Sequence, residues 1–268
     1  MDDPVECMYV VKRSGVREQF DPSKVRASLV RSGTSSDDAD RVMEQLRPQL
    51  YDGITTEEIY RRVNKMLDAD RKVRFGLKKA ILNLGPDGYR FEDFVARLFK
   101  AQGYDTKVRQ VIPGQCVTHE VDVVLQKDGK KSMVECKFHN SQGIKCGIQT
   151  VLYTYGRFLD LSHVDQLDDV WLVTNTRFSS DVVHYAECMN VKLLGWKYPE
   201  VNGVETLVEK NRLYPVTVLD LRRPDLRTLI DHDIILVSEM MENIESVKRL
   251  LPGREMDRIV HEAQTLLR

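Results

Sequence analysis

The sequence predicts an α/β protein: a mostly helical N-terminal segment, a central mixed sheet flanked by helices, and a small helical C-terminal segment. Three observations lead there. Helical apolar spacing behind good cap residues dominates from Asp21 to Leu84. Apolar runs of strand length alternate with helical patterns from about Pro86 to Pro199, and only helical patterns follow Pro215. A hairpin followed by β-α-β units forms a mixed sheet covered by helices. The expected segments are 1–85, 86–214 and 215–268, with Leu84-Gly85-Pro86-Asp87-Gly88 breaking the helical pattern at the first boundary.

The first segment opens on two short β-like runs, MYVV and VREQF, around a turn at Ser14-Gly15. Asp21 is an expected N-cap with Pro22 behind it, and Val25, Leu29 and Val30 share the face of the helix that follows. Ser35, Ser36 and Asp37 offer the next cap, ahead of Val42, Leu46 and Leu50. Thr55 or Thr56 then precedes Ile59, Val63, Met66 and Leu67, with Glu58 spaced for a capping box. In the central segment a helix with Phe91, Phe94, Val95, Leu98 and Phe99 ends at Gly103. Strands are expected at VDVVLQ and SMVECKF, a helix from Gly147 to Leu159, a strand at VWLVT, a helix from Ser179 to Met189 and a strand at VKLLGW. Trp171 and Trp196, on apolar strands, read as core. The C-terminal helices are expected around LRTLI, IILVSEMM and VKRLL.

Composition narrows the function. At 268 residues, 42% apolar and 30% charged, the chain is an ordinary globular sequence without an apolar run long enough to span a membrane. Its opening residues carry acids where a secretory signal carries positive charge. Five scattered cysteines without a CxxC argue against a zinc knuckle or a disulfide framework, and for reduced thiols in a cytoplasmic protein. The net charge of −1 averages over a basic run, Arg61 to Lys79, that could neutralise phosphates or simply be a solvated helix face.

The hairpin HEVDVVLQKDGKKSMVECKF carries the chemistry. Asp128-Gly129 suits a type I′ turn, which needs positive φ at both positions. Counting outward, Lys127 pairs with Lys130, Val124 with Met133, Asp122 with Glu135 and Glu120 with Lys137. Cross-strand partners share a face, with Cβ atoms about 5 Å apart. Glu120, Asp122, Glu135 and Lys137 therefore gather on one side, and Val121, Val123, Leu125, Val134, Cys136 and Phe138 on the other. Two opposed carboxylates repel unless a cation lies between them. Mg²⁺ commonly takes one or two carboxylates and fills its remaining positions with water and phosphate. Lys137 beside the ion could orient a water or stabilise charge on a phosphate. His119 and His139, flanking the hairpin, read as ordinary hydrogen-bonding residues.

An acid on one strand followed by Glu-X-Lys on the next resembles the PD-(D/E)xK nuclease superfamily, and within it the Mrr-like restriction endonucleases. Glu92 on the helix before the hairpin, and Gln149 with Tyr153 on the helix after it, extend the resemblance over about Gly88 to Trp196. It implies a restriction-endonuclease-like fold, with Asp122 and Glu135 as ligands of Mg²⁺ or Mn²⁺ and Lys137 as catalytic lysine. Glu92 would be an outer ligand or water holder, and Gln149 a contact to substrate or water. The Asp122 strand reads His-Glu-Val-Asp where the family often has Pro-Asp, so the assignment depends on hairpin register.

The opening VVKRSGVREQFDPSKV, with Ile54-Thr55-Thr56 further on, resembles the ATP-cone, a regulatory nucleotide-binding domain, over about Met8 to Leu84. That implies ATP or dATP bound near Val11, Lys12, Arg13, Lys24 and Thr55, with the three cations toward the triphosphate. No Walker A loop is present, so hydrolysis of that nucleotide is not expected. The C-terminal segment resembles helix-hairpin-helix modules. Asp231-His232-Asp233 replaces the first hairpin glycine, its acids would repel phosphate, and only Gly253 fits. A packing or dimerisation role is expected there.

These readings combine into a Mg²⁺-dependent DNA endonuclease, dimeric by family resemblance and regulated by ATP or dATP. The alternative is a nucleotide-sensing DNA-binding protein whose nuclease-like fold is non-catalytic.

Overall fold

Caps, turns and apolar runs place the elements. The computed structural model describes residues 8–268 except 13, 14, 33, 68, 87, 142, 254 and 255, and of residues 31 and 69–74 it describes the backbone alone. The chain separates into two compact units, Met1–Leu77 with Arg268, and Lys78–Leu267.

In the first unit β1 (Tyr9–Val11) pairs antiparallel with β2 (Arg17–Gln19). Helices α1 (Pro22–Arg31) and α2 (Ser36–Leu46) follow, then β3 (Ile54–Thr55), parallel to β1, and α3 (Thr56–Met66). The anticipated caps form. Asp21 Oδ1 accepts from Ser23 N at 2.9 Å, and Ser35 Oγ accepts from Asp38 N at 3.1 Å. Thr55 Oγ1 accepts from Glu58 N at 3.1 Å while the Glu58 carboxylate accepts from Thr55 N at 3.2 Å, a complete capping box. Val10, Phe20, Leu29, Leu46, Ile54 and Val63 form the core beneath them. Helix α4 (Ala69–Leu82) contains the boundary between the units.

The second unit is built on helix α5 (Tyr89–Lys100) and three antiparallel strands, β4 (Asp105–Pro113), β5 (Thr118–Lys127) and β6 (Lys130–Lys137). There follow β7 (Lys145–Cys146), α6 (Ile148–Asp165), β8 (Asp169–Thr174), β9 (Arg177–Phe178), α7 (Ser180–Cys188) and β10 (Lys192–Leu194). The main sheet runs β10-β8-β6-β5-β4, with β6, β8 and β10 parallel. Helices α8 (Val204–Asn211), α9 (Arg223–Asp231), α10 (Val237–Glu242), α11 (Ile244–Leu250) and α12 (Met256–Leu267) complete it. No helix among the described residues is long and apolar enough to cross a membrane.

The hairpin register is the one its turn dictates. Asp128 and Gly129 have φ of 51° and 76°, and the ladder runs from Lys127↔Lys130 to Val123↔Val134. Val134 and its β8 partner Trp171 lie on the α5 side of the sheet, where Phe99 meets the indole at 5.2 Å. Val124, Met133, Val170 and Leu172 pack on the other side, with Val151 and Leu161 of α6. One expectation fails: Val121 belongs to this second cluster and not to the face of Val123 and Leu125. The two-residue alternation slips at Asp122. Strand β4 was not anticipated either, because it is a half-exposed edge strand rich in Lys, Arg and Gln rather than an apolar run.

The acids of the first C-terminal hairpin are engaged in packing. Asp231 lies 3.6 Å from Arg90, while Asp233 lies 3.2 Å from Arg97 and accepts from it through its carbonyl at 3.1 Å. Glu239 also takes Arg97 and caps Ile235 N and Leu236 N at 2.9 Å each. Both arginines belong to α5, so this hairpin is docked on the helix that covers the sheet.

Candidate active site

The slip at Asp122 has a local cause. The β4–β5 pairs pass from Val108↔Val123 directly to Gln110↔Val121, and the β5–β6 ladder stops at Val123↔Val134. Asp122 sits where both ladders open. Across from it Arg109 adopts φ of 51°, a left-handed conformation that costs a non-glycine residue about 1–3 kcal/mol and persists only when its surroundings enforce it. Here Arg109 bonds Asp93 at 2.8 Å and Glu92 at 3.3 Å, both on α5. On the other side of the gap Cys136 N donates to Asp122 Oδ2 at 2.7 Å, replacing a ladder bond with a side-chain bond. Asp122 and Glu135 lie one step beyond the last pair, so the expected pairing between them does not form as a ladder pair.

Glu92 and Glu135 both feel the Asp122 charge across this opening. Burial, then the nearby Asp122 charge, pushes Glu92 up to about 7. Glu135 is also raised, first by burial and next by Asp122, against the opposing pull of Arg157 and Lys137. Asp122 is raised by burial, which the Cys136 N–H and Arg157 partly offset. Burial leads at all three, and the neighbouring cations Arg109, Arg157 and Lys137 offset it only in part. Among the described residues no three His, Cys, Asp or Glu side chains converge as a ready-made metal site. Two carboxylates without imidazole or thiolate suit an ion that keeps most of its water, such as Mg²⁺ or Mn²⁺.

A pH dependence follows. The Glu92 carboxyl sits at about 7 in the folded protein against an ordinary 4.5, so between those values the folded state holds more protons than the unfolded chain. Stability of chelator-treated protein is therefore expected to fall as pH rises from about 4.5 to 7, and Glu92→Gln to flatten that slope. Thermal melts across the window check this; the same slope in wild type and variant would contradict it.

Of the other anticipated residues, Lys137 is exposed at the end of β6 and close enough to influence Glu135. Its carbonyl accepts from the buried Thr174 at 2.7 Å, and Asn175 holds the backbone of His139 with two bonds of 2.9 Å. Gln149 is exposed in the first turn of α6, and Tyr153 follows one turn later. Glu120 is exposed and outside the β5–β6 ladder, so the expected pairing with Lys137 does not form as a ladder pair. His119 bonds Asp160 at 2.7 Å, a bond that holds the carboxyl down to about 2 and fastens the β4–β5 turn to α6. Sequence reasoning missed Arg109, Asp93 and Arg157. Arg157 continues the Gln149–Tyr153 stripe by another turn, and that spacing was the available signal.

In the first unit a cavity of about 630 Å³ is lined by Val11, Lys12, Gly15, Thr55, Thr56, Glu57 and Arg61. Val11, Lys12 and Thr55 thus meet, at the N-terminus of α3 where backbone N–H groups favour an anion. The described lining does not include Lys24. Its ammonium lies 4.0 Å from Glu18, which also holds Lys12 at 2.6 Å. Arg13 lies outside the described residues.

The family model for the ATP cone domain matches residues 8–80, that for a restriction endonuclease domain matches 85–197, and that for the AF1548-like C-terminal domain matches 214–267. An uncharacterized protein of Archaeoglobus fulgidus is 35% identical over 175 residues, which is 65% of this chain and 99% of that protein. The crystal structure of AF1548, a protein of unknown function, matches with a TM-score of 0.57 at 34% identity, over 68% of this chain and 97% of that one. The chain belongs to the AF1548-like family, and carries an ATP cone domain ahead of its restriction endonuclease and C-terminal domains.

Proposed function

We propose that this protein is a divalent-metal-dependent DNA endonuclease whose activity responds to ATP or dATP in the ATP cone domain. The reading is supported by the opening of both ladders at Asp122, by the influence of the Asp122 charge on Glu92 and Glu135, and by that of Lys137 on Glu135. Asp122 and Glu135 are the residues that would hold the ion. Bound there, a divalent ion supplies Lewis-acid activation and neutralises phosphate charge. Lys137 stabilises the charge that develops on the phosphate as a water oxygen bonds to phosphorus and the bond to the sugar oxygen breaks. Glu92, poised near neutrality, holds that water by a hydrogen bond and takes up its proton. Duplex cleavage needs two such sites, which favours a dimer.

Incubation of supercoiled plasmid, and of single-stranded DNA and RNA, with Mg²⁺ or Mn²⁺ and with chelator tests the reading. Nicking or linearisation that requires the ion supports it. DNA binding without cleavage of any substrate would favour a binding protein instead. Adding ATP or dATP tests regulation: a nucleotide acts only by its differential affinity for two states, through oligomer state or through access to the nuclease face, and an unchanged cleavage rate and oligomer size would refute it.

Glu18 competes with a triphosphate for Lys12. Glu18→Gln is expected to tighten ATP binding about three- to tenfold by removing that carboxylate. Calorimetric titration reads it, and unchanged affinity would place the phosphates away from Lys12.

A further inference from the structure

Among the described residues Arg157 is the one basic side chain that is buried, at 8% exposure, and it sits beside the nuclease carboxylates. It projects from α6 in line with Gln149 and Tyr153, at spacings of four residues, and its guanidinium lies 5.3 Å from the centre of the Tyr153 ring. Nη1 donates to Glu135 Oε2 and Nη2 to the main-chain oxygen of Glu120. These two bonds join β5 and β6 beyond the point where their ladder stops at Val123↔Val134. Nε is buried without a partner, so the guanidinium is incompletely satisfied where it sits.

Glu135 therefore has one oxygen committed to an arginine where a divalent ion would need it. We infer that Arg157 is a positioning residue that acts as a placeholder cation: it holds Glu135 in the metal-free protein and yields that carboxylate when the ion enters. This rests on the metal-dependent reading above. Fixed positive charge inside a small buried gap opposes a second cation far more than it would in water. The free enzyme consequently binds the ion weakly, and a phosphodiester, arriving with negative charge, favours the exchange. Arg157 keeps its bond to Glu120 and its place over Tyr153 throughout.

The test is Mn²⁺ binding by the full chain without nucleic acid at pH 8, followed by the electron-spin signal of free Mn²⁺. Arg157→Gln is expected to bind Mn²⁺ about tenfold more tightly than wild type, and Arg157→Lys, which keeps the charge, within about threefold of wild type. The metal-free Arg157→Gln protein melts lower than wild type and gains more from Mn²⁺. Equal or weaker binding by Arg157→Gln overturns the placeholder role. If that variant folds only with Mn²⁺ present, the expected coupling is confirmed in its strongest form. If it folds under neither condition, Arg157→Met is read in the same way. Asp122→Asn in the Arg157→Gln background separates the two readings. Binding that ignores Asp122 refutes the metal site itself, whereas Asp122-dependent binding of equal strength in wild type and Arg157→Gln refutes only Arg157.

Discussion

Lys137→Ala is expected to lower the rate of DNA cleavage about 100- to 1,000-fold, the usual loss on removing one group aimed at developing charge. Its side chain is exposed at the end of β6, and the bond from Thr174 reaches its backbone oxygen, which alanine retains. Folding should be untouched, since exposed substitutions of this kind change stability by about 0.5 kcal/mol or less. Mn²⁺ binding should also persist, because the ammonium is not a ligand. Rates, melts and ion titrations on one preparation check all three. A cleavage rate within about tenfold of wild type would remove Lys137 from the chemistry.

Asp122→Asn is expected to move activity and stability in opposite directions. Cleavage falls at least 100-fold, because a neutral amide is a poor ligand for a hard cation. The metal-free protein, by contrast, gains about 1 kcal/mol. The amide oxygen can still accept the Cys136 N–H, while the buried charge that raises both Glu92 and Glu135 is gone. Such trade-offs mark sites where like charges are kept together for function. Chelator-treated melts and cleavage assays measure the two effects; a destabilised, fully active variant would contradict both.

Local chemistry made much of this legible in advance. The Asp128-Gly129 turn set the register, and the caps at Asp21, Ser35, Thr55 and Ser179 set the starts of four helices, because each depends on one or two adjacent residues. What escaped depends on partners distant in sequence. Strand β4 hides as an edge strand with alternating polar residues. Val121 changed faces because Asp122 bonds Cys136 across an opened ladder, and no periodicity within VDVVLQ records that. The burial of Arg157, for which only the Gln149–Tyr153 spacing was a signal, and the left-handed φ of Arg109 are set by carboxylates reached across the fold. Lys24, grouped in sequence with Lys12, is drawn to Glu18 and does not appear in the described cavity lining. The paired acids of the first C-terminal hairpin, which seemed hostile to phosphate, have Arg90 and Arg97 as partners.

Anomalous diffraction from Mn²⁺-soaked crystals tests the central claim most directly. A single strong peak is expected between the carboxylates of Asp122 and Glu135, lost in Asp122→Asn. A protein that cleaves DNA with Mn²⁺ yet carries its peak elsewhere, with Asp122 and Glu135 free of the ion, would contradict it.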